Sequence, residues 1–405
     1  MIIKKIVRKL HLWLGLSSGL IVLFLGLTGC ILAFQREIED AVQSYRFTEA
    51  RTTEPLPPSA LKTIADRQLP GKKLHSIGYQ KGRSATAVYY AFQPEEYYHI
   101  VFLNPYTGEV LEVKDMSKDF FRVVINGHYY LWLPPHIGQP ILATATLLFV
   151  ILMVTGIILW WPRHLAVLKQ RLMVKWNARW RRVNYDLHNV FGFYMSWVAL
   201  FIALTGLVMG FQWFSKSAYY VLSGGKAQPQ YSETFSDTTG MVPVQKDRPA
   251  MDIIWAKTMN SHRNFGGVID VHPPESSKSA IEVAVNPDSK TYWKTDYRYY
   301  DQYTLQEIEV NHLYGRIAKA SVADKALRMN YDIHVGAIGG LPGKIIAFTA
   351  SLIAASLPVT GFLIWRGRKK KKRQNVISTY AGGRQPGEKL KQRLSFPIRT
   401  SSGPV

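Results

Sequence analysis

Residues 8–35 read RKLHLWLGLSSGLIVLFLGLTGCILAFQ, and residues 185–212 repeat the pattern as YDLHNVFGFYMSWVALFIALTGLVMGFQ. The two stretches align without a gap, so His11 corresponds to His188, and Leu-Thr-Gly follows each histidine at the same distance. Each stretch is apolar over the roughly 20 residues that a helix needs to cross a bilayer. Because an ionisable side chain is costly in lipid, a histidine repeated at one depth indicates function.

Two further apolar stretches form a second repeat. Residues 154–160, VTGIILW, match residues 359–365, VTGFLIW. The sequence therefore predicts a membrane α-helical fold in which helix, insert and helix occur twice. The predicted four-helix bundle has transmembrane helices at residues 11–34, 138–161, 187–213 and 337–365, with α+β inserts at residues 35–137 and 214–336. We expect the repeated Thr-Gly pairs to allow close contact between helices.

The positive charge of the chain is confined to three segments that flank the membrane helices. Residues 1–10, 162–185 and 366–405 hold 23 lysines and arginines and a single acidic residue, and the remainder is neutral. Because positive charge is retained in the cytoplasm, both termini and the basic loop 162–186 are predicted to be cytoplasmic. This topology explains the charge without nucleic-acid binding. The tail 366–405 is predicted to be disordered and held near anionic membrane lipid.

The first stretch also has features of a lipoprotein signal peptide, because a basic start and an apolar run precede Leu27-Thr28-Gly29-Cys30. Signal-peptide cores are shorter than a spanning helix, however, and this apolar run continues past Cys30. The second copy has the same Leu-Thr-Gly where no signal peptide can act. A retained helix with a buried Cys30 is therefore favoured over cleavage. A single cysteine also excludes an intramolecular disulfide.

The two inserts contain alternating, β-rich runs that are broken by turn signals such as Asn104-Pro105 and Asn286-Pro287. A helix is predicted over residues 58–68, near the start of the first insert. Strands are predicted over residues 87–92, 97–113, 280–285 and 297–310. Each insert is therefore expected to be a small α+β domain.

Together these features resemble the PepSY-associated transmembrane family over nearly the whole chain up to about Arg368. The most specific features are the LH-x3-G and LTG patterns of helices one and three, the TG-x3-W ends of helices two and four, and the strand NPYTGEVLEV at residues 104–113. The resemblance implies PepSY-like inserts in the periplasm and a location in the bacterial inner membrane. Members of the family include b-haem-containing ferric-siderophore reductases, so it also implies haem-dependent reduction of an iron(III) chelate.

Four of the eleven histidines lie near the N-terminal ends of the predicted helices: His11, His128, His188 and His334. Helices one and three begin at the cytoplasm, so His11 and His188 share an inner level. Helices two and four begin outside, so His128 and His334 share an outer level. Imidazole is a standard axial ligand of haem iron, and a four-helix bundle holds cofactors between facing helices. We therefore predict two bis-histidine b haems, which are non-covalent because no Cys-x-x-Cys-His occurs.

Other assignments of the polar residues carry less weight. For any one histidine alone, an interfacial role that caps a helix end is the simpler interpretation. His136 lies closer to the second helix than His128 but lacks a repeat partner, and His164 is expected at the inner surface. Arg182 and Arg328 are candidates to pair with haem propionates. The histidines of the inserts have no ligand-like spacing and are assigned ordinary roles: His75, His99, His262, His272 and His312.

Dinucleotide-binding and hydrolytic motifs are absent from the sequence. No G-x-G-x-x-G follows a strand, and residues 339–344 lack the Ser or Thr of a phosphate loop. The chain is therefore predicted to take electrons from a separate donor, either a flavin reductase or membrane quinol. Electron transfer needs no acid or base, so no side chain is predicted to be catalytic. The alternative function is a haem-free PepSY-type membrane regulator that binds peptides or proteases.

Overall fold

The computed structural model describes residues 2–91, 96–162, 164–239, 247–262 and 266–382. Within this part, four helices are long and apolar enough to cross a membrane: Ile2–Ala33, Pro135–Trp160, Trp180–Gly210 and Ala337–Arg368. They confirm the four apolar spans predicted from the sequence. Cys30 lies inside the first of them and is buried, as expected for a helix that continues past it.

The predicted boundaries of the spans need correction. The second span begins at Pro135 rather than at residue 138, and the third runs over Trp180–Gly210 rather than over residues 187–213. The first helix begins at Ile2 rather than at residue 11, because the basic residues before His11 are compatible with a helix that extends beyond the membrane. The last helix runs to Gly382, so the tail is helical where disorder was predicted from residue 366. Lysine and arginine are good helix formers, which allows the span to continue. The prediction for residues 383–405 lies outside the described residues.

The strands of the two inserts interrupt the series of helices. In chain order they are α1 (Ile2–Ala33), α2 (Gln35–Val42), α3 (Pro58–Gln68), α4 (Phe120–Tyr130), α5 (Pro135–Trp160), α6 (Leu168–Arg171), α7 (Trp180–Asp186), α8 (Gly192–Gly210), α9 (Gln212–Leu222), α10 (Ala250–Ser261), α11 (Val322–His334) and α12 (Gly340–Gly382). Helix α1 packs against α5 and α12, and α8 packs against the same two helices. The spans therefore form a four-helix bundle in which neighbours come from both repeats.

The two inserts form one sheet and are not separate domains as the sequence suggested. The strands are β1 (Leu74–Gln80), β2 (Ala85–Ala91), β3 (Tyr97–Leu103), β4 (Val110–Asp115), β5 (Val268–His272), β6 (Ile281–Asn286), β7 (Asp296–Tyr300) and β8 (Glu307–Ile308). They form an antiparallel sheet in the order β4-β3-β2-β1-β5-β6-β7-β8. Strands β1 and β5 join the halves, with Ile77 opposite Val271 and Gly78 opposite Asp270. Neither joining strand was predicted.

One face of the sheet is covered by α3 and α10. Helix α3 has the bounds predicted from the sequence, and its Leu61 is fully buried. Ile254 of α10 packs into the same core, together with Ile77 of β1 and Val283 of β6. Alternating residues from the strands of both inserts therefore contribute to a single hydrophobic core, so the two inserts share one sheet and one core.

The other face of the sheet carries polar residues at its centre. His272 of β5 lies opposite Glu282 of β6, which in turn lies opposite Tyr299 of β7. Burial raises the pKa of Glu282 to about 7, and burial raises that of Asp270 to about 6. The rings of His75 and His272 also lie together, with centres 4.6 Å apart, although the sequence suggested no link between them.

Replacement of Glu282 by glutamine is expected to stabilise the sheet above pH 7 and to have little effect near pH 4. The folded protein retains a proton that an unfolded glutamate, with a pKa near 4.3, has released, so wild-type stability falls as the pH rises from about 4 to about 7. The expected gain at pH 8 is on the order of 2 kcal/mol. Thermal unfolding at both pH values measures it, with exposed Glu49→Gln as the control. An equal gain at both values would contradict the assignment.

Candidate functional site

Two pairs of histidine rings face each other across the bundle. The rings of His11 and His188 have centres 6.5 Å apart and planes at 85°. They lie near the basic segments, so we call them the basic-end pair. The rings of His128 on α4 and His334 on α11 have centres 6.3 Å apart and planes at 65°, and we call them the sheet-end pair. Each pair joins one histidine of the first repeat to one of the second, as the sequence pairing proposed.

Every one of these four rings is bound by the threonine of a Thr-Gly pair on a different helix. The Nδ1–Oγ1 distances are 2.9 Å for His11–Thr155, 2.9 Å for His188–Thr360, 2.8 Å for His128–Thr28 and 3.0 Å for His334–Thr205. The sequence interpretation assigned the Thr-Gly pairs to close helix contact. The structure gives each of these threonines a histidine partner as well, which explains why the pair occurs in all four spans.

The threonine hydroxyls determine which imidazole nitrogen carries the hydrogen. A hydroxyl has one hydrogen, and each threonine donates it to a carbonyl of its own helix, as Thr28 does to Phe24 at 2.8 Å. The hydroxyl oxygen therefore accepts a hydrogen bond from the imidazole Nδ1–H. In a neutral imidazole this leaves Nε2 unprotonated, which is the form that binds a metal.

The glycine of each pair lies against its histidine ring, and the approach is close at three of the four positions, whereas a methyl group at Gly29 would have an ordinary contact of 3.7 Å with Cε1 of His128. A methyl group at Gly361 would lie 3.2 Å from Cε1 of His188, and one at Gly206 would lie 3.4 Å from Cε1 of His334. Such contacts are tighter than ordinary van der Waals packing, so a larger side chain would displace the ring. The threonine thus orients the ring, and the glycine leaves space for the ring beside the helix.

Local irregularities of the helices position three of the histidines. His188 lies in a π-helical turn, Leu187–Phe191, between α7 and α8, and such turns are frequent at functional sites. His128 and His334 end short helices that lead from the sheet into the spans. A methyl group at Gly138 would lie 1.9 Å from the carbonyl oxygen of Tyr130, and a methyl group at Gly343 would lie 2.2 Å from the carbonyl oxygen of Gly336.

A cavity of about 1360 Å³, including its open mouth, surrounds the sheet-end pair. Among the described residues that line it none is charged, and several are small: Gly26, Gly29, Ala143, Ala203, Gly206 and Ala350. Burial lowers the pKa of His128 to about 3 and also lowers that of His334, so both rings are neutral and able to ligate. The site is thus a largely apolar slot that contains both imidazoles of the sheet-end pair.

The ring separations fit an iron bound by two imidazoles. A metal–nitrogen bond of about 2 Å on each side, with each ring centre about 1.1 Å behind its nitrogen, requires centres about 6.2 Å apart. The measured values are 6.5 and 6.3 Å. The free Nε2 atoms, the small residues of the walls and the ring spacing together fit a flat macrocycle such as haem.

The competing residues from the sequence do not join either pair. His136 and His164 are exposed. Arg182 forms an ion pair of 2.9 Å with the buried Asp186. Arg328 donates to the carbonyls of Thr295 and Gly315, and neither arginine lines the sheet-end cavity. Within the described part of the chain, His128 is therefore the histidine that pairs with His334.

The sequence profile of the family described as the PepSY-associated TM region matches residues 8–368. The match includes all four histidines and all four Thr-Gly pairs. The chain belongs to this family. Comparison with curated proteins finds no significant match. Together with the four apolar helices, membership of the PepSY-associated family identifies a membrane protein.

The sequence interpretation of this PepSY-associated chain missed the threonines as functional residues. The signal was present, because Thr28 follows His11 at the same spacing at which Thr205 follows His188. At 1.5 Å rise per residue, this spacing corresponds to about 25 Å along the helix. Since Thr28 and Thr205 hold the sheet-end pair, the same spacing sets the distance between the two pairs.

Proposed function

We propose that this chain is a di-haem, b-type electron-transfer protein that reduces iron(III) chelates, such as a ferric siderophore, on the side of the sheet. The observation that carries the proposal is the pair of facing imidazoles at each end of the spans. His11 and His188 would hold one haem, and His128 and His334 would hold the other. When bound, each haem supplies a one-electron redox centre inside a layer that otherwise blocks electrons.

The protein's own residues orient the ligands and exclude water. The four threonines keep each Nε2 free for iron, and the uncharged walls of the sheet-end cavity keep water from the cofactor. The two pairs lie about 25 Å apart along the helices, which compares with a hydrocarbon core of about 30 Å. One pair therefore serves each face of the membrane.

The charge of the chain supports a direction for the electrons. Its basic segments favour cytoplasmic termini in a bacterial inner membrane, with the sheet in the periplasm. Electrons would enter at the basic end from a separate flavin reductase or from quinol, and would leave at the sheet end. Reduction weakens a chelate because iron(II) carries less charge than iron(III) and is held less strongly by oxygen ligands.

The visible spectrum of the purified protein tests this proposal. We expect a Soret band, with sharp α and β bands after reduction by dithionite, and two haems extracted per chain. A folded, colourless protein from haem-replete cells would contradict the proposal. In that case the haem-free regulator that binds peptides or proteases becomes the better account of the family membership.

Anaerobic mixing with chelates tests the acceptor. The dithionite-reduced, desalted protein is expected to be reoxidised by ferric chelates, with the loss of the sharp α band as the readout. The matched control is the gallium(III) form of the same chelate, which has similar size and charge but does not accept an electron under these conditions. If none of the ferric chelates tested reoxidises the protein, the assignment of the acceptor is contradicted.

A further inference from the structure

A second cavity lies at the β8 edge of the sheet, away from both histidine pairs. It encloses about 1440 Å³, including its mouth, between β8, the segment that follows it and the start of α11. Its polar lining residues include Tyr297, Glu307, His312, Arg316, Lys319 and Asp324. Unlike the sheet-end cavity, this one is lined by side chains of both charges, which suits a polar ligand.

The most informative residue of this cavity is His312. Only 8% of it is exposed, and neither ring nitrogen has a hydrogen-bond partner among the described residues. The rings of Tyr231 and Tyr299 enclose it, with centres 5.0 and 5.5 Å away. Buried polar side-chain atoms are nearly always hydrogen-bonded, so an enclosed imidazole without a partner at a cavity wall points to a ligand.

The unused hydrogen-bonding capacity around the cavity consists largely of N–H groups. One guanidinium nitrogen of Arg316, Nη1, lies 3.4 Å from a carboxylate oxygen of Asp296 and of Glu307 but makes no hydrogen bond to either. Nη1 of Arg328, which donates through Nη2 to Gly315 of the wall, also makes no hydrogen bond. The acidic residues are already engaged, since Glu309 pairs with Lys319 at 2.6 Å and Glu307 lies 3.4 Å from Arg316. A ligand that satisfies the site therefore supplies oxygen acceptors.

Asp324, the remaining acid of the lining, is engaged as well. Its carboxylate completes a capping box with Ser321 at the start of α11, and it accepts a hydrogen bond of 2.9 Å from Tyr219. Repulsion of an anionic ligand by this group is thereby reduced. His312, which makes no hydrogen bond among the described residues, and Arg316, whose Nη1 has ion-pair contacts but no hydrogen bond, remain the groups that decide what binds.

We propose that this cavity binds a small carboxylate-bearing molecule, whose oxygens accept hydrogen bonds from His312 and Arg316. Such a ligand is either a free carboxylate or an iron(III) chelate built from carboxylates. Asp324 at the cavity and His334 of the sheet-end pair lie on the same helix, about 15 Å apart by helical rise. A bound chelate would thus lie one short helix from the proposed haem site, although binding itself does not require haem.

Isothermal titration of the full chain in detergent tests the site, with citrate and iron(III) citrate as probes. We expect at least one probe to bind, with affinity reduced about tenfold by His312→Phe and by Arg316→Met, as for the loss of one hydrogen bond to a charged group. His99→Phe on β3 and exposed Arg67→Met on α3 are the matched controls and should bind as the wild type does. Binding of both probes indicates a free carboxylate, and binding of iron(III) citrate alone indicates a chelate.

Two results would overturn the proposal: neither probe binds the wild type, or both variants bind as tightly as the wild type. Phenylalanine preserves the aromatic packing between Tyr231 and Tyr299, and thermal unfolding checks that the variant is folded. If His312→Phe is not folded, the binding measured with Arg316→Met tests the proposal. The visible spectrum of the same preparation separates this site from the haem proposal. A colourless protein that binds citrate supports the carboxylate site and contradicts the haem proposal.

Discussion

Replacement of His128 by alanine is expected to remove one haem and leave the other, which halves the haem content per chain. A bis-histidine iron needs both axial nitrogens, and the exposed His136 cannot replace His128 without moving α5. The basic-end pair lies about 25 Å away on other turns of the helices and retains its own ligands. Haem extraction and the amplitude of the reduced α band measure the loss.

The matched control is His136→Ala, which should keep both haems because its side chain is exposed and unpaired with His334. His188→Ala should also halve the haem content, and the double variant with His128→Ala should be colourless. Full haem content in His128→Ala, or loss of haem in His136→Ala, would show that the sheet-end pair has been assigned to the wrong histidine.

The same variants separate the roles of the two ends. His128→Ala should lose reduction of iron(III) chelates, because the remaining redox centre lies at the opposite end of the spans. His188→Ala should still be oxidised by the chelate once it has been reduced chemically, but should no longer take electrons from the basic end. Equal rates of chelate reduction in all variants would contradict the proposed direction.

Replacement of Thr28 by valine is expected to weaken haem binding at the sheet end by about 10- to 100-fold, the usual effect of removing a partner of a metal-bound histidine. Valine preserves the shape of threonine but cannot accept the hydrogen bond from Nδ1 of His128. The ring then loses the contact that holds its tautomer and its orientation. Transfer of haem to apomyoglobin measures the change in affinity.

Thr205→Val provides an internal comparison on the other side of the same proposed haem site. Nδ1 of His334 lies 3.0 Å from the carbonyl of Ile202 as well as 3.0 Å from Thr205, so a second acceptor remains when the hydroxyl is removed. For His128 the hydrogen bond that the structure gives to Nδ1 is the one to Thr28. We therefore expect a smaller loss of affinity in Thr205→Val than in Thr28→Val.

Thr28→Ser is the conservative control, because it restores the hydroxyl and should return haem affinity close to that of the wild type. The midpoint potential of the sheet-end haem is a second readout, since loss of a hydrogen bond to Nδ1 makes the imidazole a weaker electron donor to iron. Unchanged affinity and potential in Thr28→Val would show that the Thr-Gly pairs serve helix packing alone.

Much of the membrane architecture was predictable because it depends on local properties of the chain. The four apolar runs, the helix Pro58–Gln68 and the depth of the histidines follow from length, periodicity and charge. The union of the two inserts was not predictable. Of its joining strands, β5 has only five residues, and β1 contains Gly78 at its contact with β5. Their partners lie nearly 200 residues away in the sequence.

The order of residues along the chain establishes what repeats: four histidines, four Thr-Gly pairs and one spacing that separates two levels of the bundle. Which of these residues meet depends on how the helices pack. His11 binds Thr155 of the next span and not Thr28 of its own helix, because residues on one helix at that spacing are about 25 Å apart. Pairing of this kind arises when distant helices pack, and a local pattern contains no information about which helices become neighbours.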